Sequence, residues 1–296
     1  MSNLSPSGAP RVSVWPSVAL LAAVLGMGLS AIFVRWANAP GAVSGFYRML
    51  MAAALMSLPF GAEARRRPLT SRPAVALAVL AGLLFAGDLA FWNTAVLMTS
   101  AANATFLANT APAWVGLGAL LLFRERLRPA FWLGLTVALA GAAALLGGDF
   151  SGGAGVGLGS LFALIAGVFY AGFFLATQRA RTGLSALASW WISALTSGVS
   201  LLLISLLLGQ PLLGYPPAAY LALAANALIT QVAGYLLVNY ALGHLPASIV
   251  SATLLLQPIV TTAAGMALLG EWPTAVDVGG GLLLLAGVWI INRYGR

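Results

Sequence analysis

A single carboxylate, Asp88, stands in the middle of an otherwise apolar stretch, GLLFAGDLAFWNTA, at residues 82–95. At the centre of a lipid-facing helix an aspartate costs about 2.5–3.5 kcal/mol on insertion scales, so this side chain is expected to face protein or water. Trp92 follows Asp88 by four residues, which places both on one helix face, with Asn93 alongside. A carboxylate beside aromatic rings can bind a ligand ammonium through charge and cation–π contact.

Two further stretches carry polar or aromatic side chains at the same helical spacing of four residues. They are Gln231, Tyr235 and Asn239 in one stretch, and Tyr170 and Phe174 in the other. Together with the carboxylate, these stripes predict a cavity with aromatic walls and a few hydrogen-bonding groups. Ordinary helix packing, or an aromatic belt at the membrane surface, is the alternative explanation for the rings.

Arg48, in the stretch GFYRML, is the one basic residue clearly embedded in an apolar run. An ion pair with Asp88 would neutralise both charges and hold two helices in register, or would open and close as a gate. Two roles for Asp88 therefore stay open: ligand or proton chemistry, and a structural pair with Arg48.

These residues lie in a chain with the composition of a membrane protein. Of its 296 residues 61% are hydrophobic and 7% charged, with a mean hydropathy of +0.97, whereas soluble domains carry about 25% charged residues. All 14 basic residues are Arg, in short clusters between apolar runs. That pattern indicates lipid headgroups and topology signals and argues against nucleic-acid binding. With no Cys and one His, no metal site and no cofactor is predicted.

Ten apolar stretches are long enough to cross a bilayer. They cover residues 15–36, 42–60, 73–94, 100–123, 130–147, 156–178, 185–208, 216–240, 246–269 and 275–293. With a cytoplasmic N-terminus, twelve of the fourteen Arg fall in cytoplasmic loops, as the positive-inside rule requires, and the C-terminus is cytoplasmic too. The predicted fold class is therefore an all-α integral membrane protein with ten transmembrane helices.

The second half of the chain repeats the first at a single offset of 146 residues. This offset superimposes Asn93 on Asn239, Pro112 on Pro258, Glu125 on Glu271, Gly134 on Gly280 and Gly141 on Gly287. Because each half holds five spans, an odd number, the halves must be inverted relative to each other. We predict two inverted five-helix repeats, residues 1–147 and 148–296, an architecture typical of alternating-access transporters.

The two matched prolines, Pro112 and Pro258, fall about one third of the way along spans four and nine. A proline inside a helix frees the carbonyl four residues back, and such polar backbone is tolerated in a membrane where it lines a cavity. We therefore assign Pro112 and Pro258, with Arg48, to gating or structure. Gln257, beside the second proline, is assigned to ligand binding.

The repeated features resemble the EamA family of the drug/metabolite transporter superfamily. Each half has an N-x-A-(V/L) element near the end of one helix, a proline in the next helix and a Glu before a Gly-spaced last helix, most clearly in residues 88–147 and 234–293. The resemblance implies ten spans that carry small metabolites without ATP. The general likeness is nearest to YddG-type bacterial exporters of aromatic amino acids, which implies a location in the bacterial inner membrane. The family has an Arg at the place of Arg48, which implies a structural or gating role, but no general Asp at the place of Asp88.

The remaining function classes fit less well. Membrane-embedded enzymes need paired aspartates, a Ser–His set or Asp-rich metal motifs, and ATP-driven pumps need a P-loop lysine, which this chain lacks. Efflux of lipophilic cations by a transporter of the same superfamily stays the closer alternative. The expected partners are a small-molecule substrate and the lipid bilayer, and a homo-oligomer is compatible with the sequence.

Overall fold

The described part of the chain is helical. A computed structural model describes residues 14–98, 104, 107–146, 157–269 and 275–295, and these residues contain no strand. The helices in chain order are α1 (Trp15–Met27), α2 (Ser30–Ala37), α3 (Gly41–Arg66), α4 (Arg72–Met98), α5 (Ala111–Phe123), α6 (Pro129–Leu146), α7 (Leu158–Ala180), α8 (Ala186–Leu207), α9 (Pro217–Ala225), a π-helical segment (Asn226–Gly234), α10 (Tyr235–Leu242), α11 (Ala247–Thr253), a 3-10 turn (Leu254–Leu256), α12 (Gln257–Leu269) and α13 (Ala275–Tyr294). The predicted all-α class is confirmed.

Large apolar side chains are exposed on the outside of the described helices, and a smaller set of polar side chains is buried among the apolar residues of the core. Leu58 and Leu207 are each 86% exposed, whereas Ser44, Asn93 and Gln231 are fully buried. This distribution suits hydrocarbon surroundings, where backbone groups must bond within helices and leucines can face lipid. Seven stretches of the described residues are long and apolar enough to cross a bilayer, and three shorter apolar helices accompany them. The chain is thus a multi-pass membrane protein.

The loop arginines gather at one end of the helix bundle, which we call the arginine-rich end. Because a chain that crosses the membrane repeatedly returns to the same side after every two spans, every second connection between spans lies at this end. The Arg179 guanidinium lies 4.0 Å from the ring centroid of Phe123, which joins the ends of α7 and α5 there. The charges of Arg181 and Glu63 interact at the same end.

Three predicted spans are interrupted where continuous helices were expected. The first span stops at Met27 and resumes at Ser30, the eighth contains the π-helical segment, and the ninth contains the 3-10 turn. Carbonyls near the break in the first span bond to hydroxyls of other helices. Thr261 Oγ1 donates to Gly28 O at 2.7 Å, and Thr230 Oγ1 donates to Gly26 O at 3.2 Å. Neighbouring side chains thus satisfy the backbone where the helix is broken.

Pro112 and Pro258 stand at the beginning of helices and not inside them. Pro112 is the second residue of α5, after a turn at Asn109, and Pro258 is the second residue of α12. Proline fits a first helical turn because the N–H that it lacks would have no intrahelical partner there. The expected interruptions are therefore helix starts. Residues 99–103 and 105–106, at the beginning of predicted span four, lie outside the described residues.

Helices α6 and α13 pack backbone against backbone through four glycines. A Cβ added at Gly134 would stand 2.8 Å from Gly287 O, and one added at Gly141 would stand 2.6 Å from Gly280 O. The contacts therefore run crosswise between the two glycine pairs that the 146-residue offset superimposes. Small residues of this kind let membrane helices approach closely.

Candidate functional site

A cavity of about 70 Å³ lies where the interrupted helices meet. Its wall takes residues from α1 to α4, the turn before α5, α7, the π-helical segment, α10 and α12. Three aromatic residues line it, Trp92, Tyr170 and Tyr235. The polar residues of the wall are Ser30, Arg48, Asp88, Asn109, Thr230, Gln257 and Thr261.

The two charged side chains of the cavity are both buried, with Asp88 6% exposed and Arg48 2% exposed. Arg48 Nη1 donates to Ser30 Oγ at 3.2 Å. With the Gln231 amide oriented so that its oxygen faces the guanidinium, that oxygen accepts from Arg48 Nη2 at 3.0 Å and from Nε at 2.9 Å. Arg48 is thus held firmly by neutral groups.

Asp88 has no such partners in the described part of the chain. It forms no hydrogen bond, and no ion pair within 4.0 Å, with any of the described residues. Its charge and that of Arg48 interact electrostatically across the cavity. The direct Arg48–Asp88 pair considered from the sequence is therefore not formed, and the two groups face the cavity separately.

An aromatic cluster forms the floor of the cavity toward the arginine-rich end. Phe85 lies 4.5 Å from Phe173 and 4.7 Å from Tyr235, and Tyr170 lies 4.4 Å from Phe174, between ring centroids. The Tyr235 hydroxyl donates to the Tyr170 hydroxyl at 3.1 Å. The two tyrosines thus place a hydroxyl pair beside the cavity and pack their rings into the core below it.

Beyond the aromatic cluster, the end of α7 is tied to three other helices. Gln178 Oε1 accepts from Ala247 N at 2.9 Å, which bonds α7 to the first residue of α11. Arg181 Nε donates to Asn239 O at 2.7 Å, and its Nη1 donates to Leu184 O. Burial lowers the pKa of the Arg181 guanidinium, while the charges of Glu63 and then Tyr240 oppose that shift. With the Arg179–Phe123 contact to α5, these bonds close the bundle at its arginine-rich end.

The structure brings most of the sequence-assigned site residues together. Those that line the cavity are Arg48, Asp88, Trp92, Tyr170, Tyr235 and Gln257. Asn93 and Asn239 lie elsewhere, because their fully buried amides bond main-chain carbonyls: Asn93 Nδ2 donates to Gly41 O at 2.9 Å, and Asn239 Nδ2 to Tyr235 O at 3.1 Å. Pro112 and Pro258 stand within three residues of the wall. Glu271 lies outside the described residues.

Several wall residues were not assigned from the sequence. Ser30, Thr230 and Thr261 carry hydroxyls within largely apolar runs, and their polarity is the signal that marks them. Asn109 contributes a buried Nδ2 that has no hydrogen-bond partner in the described part of the chain. A donor left free at a cavity wall suits a ligand acceptor, because an unpaired buried polar group is costly.

The wall therefore provides charge, hydrogen bonds and aromatic faces, which are means of binding a small polar ligand. Among the described residues, no three His, Cys, Asp or Glu side chains come together in a group that could hold a metal ion. The chemistry that this arrangement can perform is recognition of an organic solute inside the membrane.

Comparisons with known proteins agree with this geometry. No curated protein matches the chain. A solved crystal structure superposes with a TM-score of 0.77 over 95% of this chain and 97% of that chain, at 20% sequence identity, and therefore shares the fold. The model of the EamA-like transporter family matches residues 14–147 and again residues 157–293. With nearly its whole length matched in these two stretches, the chain belongs to the EamA-like transporter family.

Proposed function

We propose that this EamA-like transporter exports small metabolites, foremost amino acids with aromatic or large neutral side chains, across the bacterial inner membrane. The observation that carries the proposal is the buried Asp88 carboxylate, which lines the cavity without a hydrogen-bonded partner among the described residues. An amino-acid ammonium supplies that partner, and Trp92, Tyr170 and Tyr235 offer faces for an apolar or flat side chain.

Transport proceeds by alternating access between two inverted five-helix repeats, residues 1–147 and 148–296, with ten spans and both termini in the cytoplasm. The crosswise glycine contacts of α6 and α13 support this relation. So does the pairing of helices: α4 packs on α7, and the π-helical segment with α10 packs on α1. At the 146-residue offset, α4 corresponds to the π-helical segment with α10, and α1 corresponds to α7. The two contacts are therefore repeat equivalents of each other, as expected for repeats around a midplane site.

If transport proceeds by alternating access, the conformation described here is the one that is closed toward the cytoplasm. The positive-inside rule places the arginine-rich end in the cytoplasm, where the Arg181, Gln178 and Arg179 contacts tie the helices together. At about 70 Å³ the cavity has room for about two water molecules at the volume of about 30 Å³ that each takes in the liquid. A substrate as large as an amino acid needs more room, so in export it enters when the arginine-rich end opens and leaves when the helices on the opposite side move apart.

Counterflow in proteoliposomes tests the proposal. Purified protein is reconstituted with an excess of unlabelled solute inside, and uptake of labelled amino acids, nucleosides and tetraphenylphosphonium is followed with and without a pH gradient. We expect uptake of amino acids, strongest for phenylalanine, tyrosine and tryptophan. Uptake of none of the amino acids would overturn the assignment of substrate class.

Export of lipophilic cations is the second candidate function, and one observation favours it. A buried carboxylate next to Trp92 and two tyrosines also suits a delocalised organic cation, which needs no carboxylate-binding group. Uptake of tetraphenylphosphonium without amino-acid uptake would move the protein to this class, and Asp88 would then be its cation site.

A further inference from the structure

Arg48 is the second charged group of the cavity, and the hydrogen bonds of its side chain show how it is held. It lies in α3, 2% exposed, and lines the cavity together with Asp88. A guanidinium carries five N–H donors. Three of its hydrogen bonds are accounted for, one to Ser30 and two to the Gln231 oxygen. Both acceptors are neutral, so the guanidinium charge is held in place without being neutralised.

A buried charge that is held only by neutral groups is costly unless a counter-charge reaches it. No carboxylate among the described residues lies within 4.0 Å of Arg48. Asp88 shares the same cavity and is likewise without a direct partner there. The cavity thus keeps one positive and one negative group apart, each facing the space between them. A ligand with a carboxylate and an ammonium would compensate both.

The element that holds Arg48 is itself unusual. Gln231 lies in the π-helical segment, where Thr230 bonds to Gly26 of α1 and the next residue, Gln231, faces Arg48 of α3. Segments of π-helix inside α-helices occur frequently at functional sites. Here the segment joins α1 and α3 at the cavity wall and fixes the direction of the guanidinium.

We infer that Arg48 binds the carboxylate of the transported solute, and that Gln231 and Ser30 are positioning residues for Arg48. The inference rests on the proposed function and deepens it, because it specifies zwitterions as the substrate class. The substrate carboxylate takes the guanidinium donors that Ser30 and Gln231 leave free, while its ammonium binds Asp88. This assignment replaces the gating or structural role expected for Arg48 from the family resemblance.

Two probes that differ only in the carboxylate test the inference: L-phenylalanine and phenethylamine. Equilibrium binding of each labelled probe to the purified full-length protein gives a ratio of dissociation constants. For Arg48→Gln we expect affinity for phenylalanine to fall about tenfold or more, while affinity for phenethylamine is unchanged or improved. Arg35→Gln is the matched control, since Arg35 is an exposed arginine of α2 that does not line the cavity.

Gln231→Glu separates a binding role from a purely structural one. A glutamate can accept from the same two Arg48 donors, so it keeps the arginine in place and neutralises its charge. We expect this variant to be at least as stable thermally as the wild type, to lose phenylalanine affinity about tenfold or more and to keep phenethylamine affinity. A structural role for Arg48 predicts normal binding of both probes by Gln231→Glu.

The outcomes separate a failure of the proposed function from a failure of the Arg48 assignment. If the wild type neither binds nor transports phenylalanine, the proposed function fails, and the assignment of Arg48 fails with it. If the wild type transports phenylalanine but Arg48→Gln and Gln231→Glu change both probes equally, or change neither, the assignment of Arg48 alone is overturned. Should Arg48→Gln fail to fold, Gln231→Glu decides the question, because it retains the arginine.

Discussion

Replacing Asp88 with Asn is expected to weaken substrate binding without weakening the fold. The carboxylate is 6% exposed and has no hydrogen bond or ion pair with the described residues. An amide of the same size removes an embedded charge that costs about 2.5–3.5 kcal/mol on insertion scales. The fold loses only the longer-range attraction between Asp88 and Arg48. We therefore expect Asp88→Asn to unfold at the same temperature as the wild type or at a higher one.

The loss in binding follows from the contact that the amide cannot reproduce. A hydrogen bond between an ammonium and a carboxylate contributes about 1.5–3 kcal/mol, roughly twice a neutral bond. At about 1.4 kcal/mol for each factor of ten, this corresponds to a loss of about 10- to 150-fold in apparent affinity. Trp92 and the tyrosines still contact the substrate side chain, so some transport is expected at high substrate concentration.

Two measurements on the same preparation check this prediction. Counterflow of labelled phenylalanine at increasing concentration gives the apparent affinity, and thermal unfolding of the detergent-solubilised protein gives the stability. Glu125→Gln is the matched control, since it removes one negative charge from the loop between α5 and α6, away from the cavity. Unchanged affinity in Asp88→Asn would refute the ligand role. Lost transport together with a lower unfolding temperature would point to a structural pair with Arg48 instead.

Three further changes test other parts of the structure. Tyr235→Phe removes the hydroxyl bond to Tyr170 (3.1 Å) and is expected to lower the free energy of unfolding by about 0.5–1.5 kcal/mol, measured by thermal unfolding. Gly287→Ala places a Cβ 2.5 Å from Gly134 O and should cost about 1–3 kcal/mol of stability by forcing α6 and α13 apart. Arg181→Ala removes the bond to Asn239 O and should open the arginine-rich end. Because the chain has no Cys, a single Thr261→Cys in the cavity reports this opening as faster labelling by an impermeant maleimide applied from the arginine-rich side.

Each of these changes has a control in the same chain. Tyr240→Phe removes a hydroxyl that forms no hydrogen bond with the described residues, and an equal effect there would discount the Tyr235 result. Gly279→Ala adds a Cβ with no atom within 4 Å, so a loss of stability as large as in Gly287→Ala would contradict the packing. Arg293→Ala removes a cation from the same end of the bundle, and equal labelling in both arginine variants would exclude closure by Arg181.

The sequence was sufficient to predict the class of protein because composition and the positions of the charges are determined by the bilayer and not by single contacts. Long apolar runs need hydrocarbon around them, so the helical membrane fold and the EamA family could be predicted and are confirmed. The interruptions of the helices were harder to predict. At the break in the first span the Gly28 backbone packs against α12, where a Cβ would stand 2.7 Å from that of Val260. A contact across 232 residues leaves no local signal.

Helical spacing predicted that one stripe of polar side chains is buried, but not which of them lines the cavity. Gln231, Tyr235 and Asn239 were predicted to share one face at intervals of four residues. The π-helical segment bonds each residue to the fifth one along, so a spacing of four no longer marks a single face. All three side chains are buried, but Gln231 faces Arg48, Tyr235 lines the cavity, and the Asn239 amide bonds the Tyr235 carbonyl one turn earlier in the regular helix α10. The direction of the Gln231 side chain depends on the wider turn of the π-helical segment, which a periodicity of four residues does not reveal.

On the proposed function, the position of the charged groups would link ligand binding to movement between the two matched stretches of the chain. Arg48, Asp88 and Trp92 belong to residues 14–147, whereas Tyr170 and Gln231 belong to residues 157–293. The direction of the Arg48 guanidinium depends on Gln231, so it depends on how the two stretches sit against each other. If Arg48 and Asp88 bind a zwitterion as proposed, it is bound best in one arrangement of the halves. A ligand shifts a conformational equilibrium only through such a difference in affinity. On the proposed function the difference arises because residues 14–147 contain both charged groups, while Gln231 of residues 157–293 sets the direction of the Arg48 guanidinium.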